Sequence, residues 1–118
     1  MLGAAFKPES DDVRDSPALD IAARLHSQGA DVRLYDPQAN ANAAQRYPRL
    51  DYVDSLEDAA TGAQMTLLLT EWREFKEMDP AAVAALVEVP TILDGRNVLD
   101  PATWEAAGWQ YLALGRRN

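Results

Sequence analysis

Short apolar runs alternate with amphipathic, alanine-rich stretches along this chain, and turn-forming residues punctuate nearly every boundary. Met1 to Phe6 reads as the end of a buried strand, followed by a highly charged loop from Lys7 to Asp15. Ser16-Pro17 marks a helix start, because a serine side chain can accept from free backbone N–H groups and proline fits the first turn. Ala18, Ile21, Ala22 and Leu25 recur at helical spacing as far as Gly29, a suitable stop. From Asp31 to Asp36 the pattern changes to strand alternation around Val32 and Leu34, ended by Pro37.

The alternation continues. Ala39 to Tyr47 predicts a helix closed by Pro48, Tyr52-Val53 a very short strand, and Ser55 to Ala60 a capped helix. Met65 to Thr70, with its run of leucines, is the clearest buried strand. Glu71 to Lys76 is open between a loop and a short helix, and Pro80 to Val87 predicts a helix. Thr91 to Asp94 reads as a strand, Asp100-Pro101 opens a helix that Gly108 ends, and Trp109 to Leu114 forms a last strand. Strands and helices alternating at this spacing predict an α/β fold: a Rossmann-like, doubly wound, mainly parallel sheet in three α/β/α layers, as a single domain over residues 1–118.

Composition narrows the chemistry. The chain is 47% apolar, ordinary for a globular domain, and long enough to bury a core without disulfides or a structural metal. It contains no cysteine, which excludes a thiol nucleophile and a thiolate metal site, and its single histidine, His26, leaves little for a metal site or a Ser-His-Asp relay. No metal site is therefore expected. No apolar run approaches membrane-spanning length and nothing reads as a signal peptide, so the expectation is a soluble, cytoplasmic domain without membrane partners. The formal charge of -8 argues against nucleic acid as a partner, but a few cations at one cleft can still hold a small anion.

Open α/β sheets bind ligands at the carboxyl ends of their strands. Phe6 and Lys7 with Arg14 follow the first strand, Thr70-Glu71-Trp72 the leucine strand, and Asp94-Gly95-Arg96-Asn97 the strand after it. Together they form a phosphate- or polyhydroxyl-binding pattern. Each also has a plainer reading. Lys7 and Arg14 suit neutralisation of Asp11, Asp12 and Asp15, Arg96 suits a turn with a structural salt bridge, Trp72 and Phe75 suit a core or subunit interface, and His26 suits a helix C-terminus. The first turn, Gly3-Ala4-Ala5-Phe6-Lys7-Pro8, lacks the G-x-G-x-x-G pattern, so the chain is not expected to hold NAD in the Rossmann manner, and Asp36 reads as a strand-ending turn residue.

The run from Leu2 to Pro17 (LGAAFKPESDDVRDSP), with Ala18-Leu19-Asp20-Ile21 after it, resembles the opening of the C-terminal, UDP-binding domain in the UDP-glucose/GDP-mannose dehydrogenase family. Tyr35-Asp36-Pro37, Thr70-Glu71-Trp72 with Phe75, and Ile92-Leu93-Asp94-Gly95-Arg96-Asn97 follow in the family's order, and the later segments look most like the UDP-glucose 6-dehydrogenase branch. The resemblance implies a parent enzyme that oxidises UDP-glucose to UDP-glucuronate with two NAD, through a thiohemiacetal on a cysteine. Phe6, Lys7 and Arg96 would contact the UDP-sugar and Arg14 the NAD. The catalytic cysteine and the glycine-rich NAD loop belong to a preceding part of such enzymes, so no residue here is expected to be catalytic and the chain alone is expected to be inactive. The family's first strand begins before the position of Met1, which places the chain's first residues inside a central strand. A homodimer or a domain–domain contact is implied, with Trp72, Phe75, Trp104 and Trp109 as candidate contact area. A stand-alone nucleotide-binding or regulatory module, or an oligomerisation element without ligand, are the competing readings.

Overall fold

The computed structural model describes residues 1–5, 12–13 and 16–113. Phe6, Lys7 and Arg14, three of the candidate site residues, lie outside the described residues. Helix α1 (Pro17–Ser27) starts where the Ser-Pro pair places it, with the Ser16 side chain accepting from Leu19 N and Pro17 in the first turn. It buries Ala18, Leu19 and Ala22. Strand β1 (Arg33–Leu34), helix α2 (Asn40–Arg46), strand β2 (Asp51–Tyr52) and helix α3 (Leu56–Ala60) follow. The second half contains β3 (Thr66–Leu68), α4 (Arg73–Lys76), α5 (Pro80–Ala84), β4 (Thr91–Asp94), α6 (Pro101–Ala106) and β5 (Gln110–Ala113). The segment that was open between loop and helix is thus a single helical turn, α4.

Two parallel sheets, β1-β2 and β3-β4-β5, are joined by the first residues of the chain. Leu2 bridges Tyr35 on one side and Leu68 on the other, both in parallel. Its N–H donates to Leu67 O at 2.7 Å and its carbonyl accepts from Leu69 N at 2.9 Å, while Gly3 N donates to Tyr35 O at 2.8 Å and Met1 O accepts from Tyr35 N at 3.0 Å. The lateral order is therefore β2, β1, the Leu2 segment, β3, β4, β5. This is the doubly wound Rossmann order, with the chain reversing its direction of travel across the sheet beside the first segment. The pairing also bears out the central placement expected for the first residues, although their ladder is one residue long instead of a full strand.

The core runs along both faces of this sheet. Leu2, Leu34, Leu68 and Ile92 are its buried sheet residues, with Leu19 and Phe75 packed from helices. Trp104 and Trp109 meet edge-to-face with centroids 5.0 Å apart, and the Trp109 indole N–H donates to Pro80 O at 2.8 Å. The proposed contact area for an oligomer needs correction here. Trp72, Phe75, Trp104 and Trp109 are each no more than 4% exposed and pack inside the domain, so none forms an outward apolar surface.

Candidate functional site

The carboxyl ends of four parallel segments form one hydrogen-bonded rim. At the first, Gly3 has a φ of +106°, and a Cβ there would lie 2.5 Å from the Thr70 side chain. Glycine is thus required both by the backbone conformation and by the close approach of the turn after β3. Thr70 Oγ1 donates to Ala5 O at 2.9 Å, and Ser16 Oγ donates to Ala4 O at 2.7 Å. These two hydroxyls hold the Ala4 and Ala5 carbonyls in place.

Asp36 lies at the centre of this half of the rim, 2% exposed. Its Oδ2 accepts from Ala4 N at 2.8 Å, Ala5 N at 3.0 Å and the Trp72 indole at 3.0 Å. Its Oδ1 accepts from Gln38 N at 2.9 Å and Ala39 N at 2.8 Å. The expected turn role is present in the bonds to Gln38 and Ala39. The bonds to Ala4, Ala5 and Trp72 were missed, because nothing local in Tyr35-Asp36-Pro37 reveals which distant amides a buried carboxylate will meet.

The other half is built around Asp94, which is fully buried. It accepts from Arg96 N at 3.1 Å, Val98 N at 2.9 Å, Leu99 N at 2.8 Å and the Tyr111 hydroxyl at 2.7 Å. Asn97 within this turn has a φ of 58°, a left-handed conformation that asparagine tolerates better than most residues. Gly95 N donates to Leu68 O at 2.9 Å, locking the turn against β3. The result lifts Arg96 out of the sheet edge, where its Nη2 pairs with Glu71 Oε1 at 2.8 Å. The plainer reading of Arg96, a turn residue with a salt bridge, is what the geometry shows, and its guanidinium remains partly open at 38% side-chain exposure. Trp72 and Phe75 take their plainer role as core residues, and His26 takes the last turn of α1.

The described residues do not suit NAD in the Rossmann manner. The amides that would cradle a pyrophosphate after the first strand, Ala4 N and Ala5 N, already donate to the Asp36 carboxylate. The Asp36 side chain takes the amide donors that a phosphate would need. Among the described residues no group of acidic or histidine side chains could hold a metal ion, and no helix is long and apolar enough to cross a membrane. A cavity of about 580 Å³ opens near the opposite, amino ends of the strands, lined by Val32, Ala60, Met65 and Thr66 among others. Its arginine, Arg33, is committed to the carbonyls of Asp58 and Thr61 at the end of α3, and its other charged side chains are the acids Asp31 and Glu88.

Comparison with known proteins identifies the family and the fold. A family model described as the UDP-glucose/GDP-mannose dehydrogenase family, UDP binding domain, matches residues 1–101. The chain belongs to that family. A UDP-glucose 6-dehydrogenase of Bacillus subtilis (strain 168) is 40% identical over 120 residues, covering 99% of this chain and 27% of that protein. One from Pseudomonas aeruginosa is 39% identical over 122 residues, covering 98% of this chain and 27% of that protein. The chain thus spans about a quarter of the length of the curated relatives it matches. Among solved structures, an NDP-N-acetyl-D-galactosaminuronic acid dehydrogenase from Methanosarcina mazei Go1 superposes with a TM-score of 0.83 at 30% identity, covering 99% of this chain and 24% of that one. A UDP-glucose dehydrogenase from Pyrobaculum islandicum gives 0.76 at 28% identity, covering 94% and 23%. The Rossmann-like expectation is borne out by the parallel sheets and by these neighbours.

Proposed function

We propose that this UDP-binding domain supplies one wall of a UDP-sugar site in a UDP-glucose 6-dehydrogenase-like enzyme. The observation that carries the reading is Arg96, held at the carboxyl end of β4 by the Asp94 turn with its guanidinium partly open. A planar guanidinium fork is suited to phosphate oxygens. Phe6 and Lys7 complete the wall from the loop whose start Asp36, Thr70 and Ser16 hold. The parent reaction is the oxidation of UDP-glucose to UDP-glucuronate with two NAD, and it takes place on residues outside this chain, which has no cysteine. NAD is bound mainly by another part of the enzyme, with Arg14 reaching its phosphates. The domain works in the cytoplasm against a partner domain or a second subunit.

Calorimetric titration of the 118-residue chain with UDP and UDP-glucose tests the site. Arg96→Ala should weaken binding by about 1–3 kcal/mol, the range of a charge-assisted contact, and Lys7→Ala should act in the same direction. Equal affinity in the wild type and both variants refutes the assignment. The chain alone should reduce no NAD when given UDP-glucose, and clear turnover by a pure sample would refute the claim that the chemistry lies elsewhere. Sub-micromolar affinity of the isolated chain for UDP would instead favour a stand-alone nucleotide-binding module.

A further inference from the structure

Among the described residues of the rim Arg96 is a part-exposed cation, and it is already paired. Glu71 Oε1 lies 2.8 Å from its Nη2, and the two side chains are 30% and 38% exposed, so both remain open to solvent as well as meeting each other. Glu71 comes from the turn after β3 and Arg96 from the turn after β4, two adjacent parallel strands. Their apposition is fixed by the sheet: Gly95 N donates to Leu68 O, and a Cβ at Gly95 would lie 3.0 Å from the Leu69 side chain. The pair is therefore a product of strand register, not of two long side chains meeting by chance on a surface.

A paired arginine differs chemically from a free one. Its net charge is offset, so a bare anion that approaches its Nη2 meets the Glu71 carboxylate as well. A ligand that carries hydroxyl groups next to its phosphates meets something else: guanidinium N–H donors for the phosphate and a carboxylate acceptor for a hydroxyl. Discrimination by an unfavourable element against the wrong ligand is a general route to specificity. Resting on the UDP-sugar reading above, we infer that Glu71 is a specificity-determining residue that makes the Arg96 site select hydroxyl-bearing nucleotide sugars against inorganic phosphates.

The test compares inorganic pyrophosphate with UDP-glucose by calorimetric titration of the full chain, in the wild type, Glu71→Gln, Arg96→Ala and the double variant. Glutamine keeps the size of the side chain at a part-exposed position, and thermal unfolding verifies that each variant folds. Glu71→Gln should tighten pyrophosphate roughly two- to five-fold, the strength of a part-exposed ion pair, without tightening UDP-glucose by the same factor. The preference for UDP-glucose over pyrophosphate then falls, and the double variant loses the pyrophosphate gain because that gain runs through Arg96. A merely structural Glu71 would change both ligands alike. An unchanged preference in Glu71→Gln, or no pyrophosphate binding by either the wild type or Glu71→Gln, overturns the inference. If Arg96→Ala weakens UDP-glucose while the preference in Glu71→Gln is unchanged, the Glu71 role alone fails. If Arg96→Ala leaves UDP-glucose binding unaltered, the site reading fails and the Glu71 role fails with it.

Discussion

Asp36 and Asp94 stand at the carboxyl ends of two parallel strands on opposite sides of the sheet, each buried and each accepting several hydrogen bonds. They differ in reach. Apart from the Tyr111 hydroxyl, the Asp94 contacts described above lie within its own turn, at Arg96, Val98 and Leu99. Asp36 binds its own turn too, but also joins Ala4 and Ala5 to Trp72, residues that are neighbours only in the folded sheet. One carboxylate shapes a loop and presents a cation. The other gathers three parts of the chain and closes a possible anion site by filling it. A buried acid at a strand end is therefore not evidence for or against a ligand until its donors are counted.

Removing each acid tests that contrast most severely. Asp36→Ala leaves the buried amides of Ala4, Ala5 and Ala39 and the Trp72 indole N–H without this acceptor, and it should cost about 3–5 kcal/mol in urea unfolding. Asp94→Ala should cost about 2–4 kcal/mol, because its local turn can relax toward solvent on the exposed Arg96 side. Equal losses would break the distinction between long-range and local reach. The side-chain donors sharpen it further. Tyr111→Phe deletes the bond from β5 to Asp94 and should cost about 1 kcal/mol while also weakening UDP binding, since the turn that carries Arg96 loosens.

The smallest effect distinguishes the two halves by pH. Burial pushes the Tyr52 hydroxyl up to about 12 from 10.0, and burial together with the Glu74 hydrogen bond raises Tyr35 also. Both tyrosines lie in the β1-β2 half. A raised folded-state value means that the unfolded chain loses its proton first, so stability is intact below pH 10 and falls as pH rises toward 12. The denaturant midpoint should decline over that window, and Tyr52→Phe should make the decline shallower, because its bonds to Ala43 O and Tyr47 O are then absent at every pH.

Helix starts were legible because their determinants are local. Ser16-Pro17 carries its own cap, Asp79 caps α5 through Ala81 N, and Ser55 caps α3 through Asp58 N. Strand extents were less legible. The alternation from Asp31 to Asp36 is a property of one segment, whereas pairing needs a partner, and only Arg33–Leu34 finds one as a ladder in β2. Met65 to Thr70 shortens to Thr66–Leu68 for the same reason. At the site, strand-end position brought Arg96 and Glu71 into view, but the pairing of their side chains depends on the register of β3 with β4. The role of Asp36 was hidden more deeply. A sequence signal existed in the small residues Gly3-Ala4-Ala5, which leave room for another group to reach their amides, but it names no partner.

The place of Leu2 between Tyr35 and Leu68 has a consequence for how the domain comes into being. Leu2 must wait for one neighbour until Tyr35 has been added and for the other until Leu67–Leu69 follow. During that interval an apolar segment travels unpaired, the condition in which nascent parallel sheets are most open to wrong partners. Joining the two sheets then requires Leu2 to enter between segments made after it, so slow translation after Leu69 should favour correct assembly more than slow translation before it.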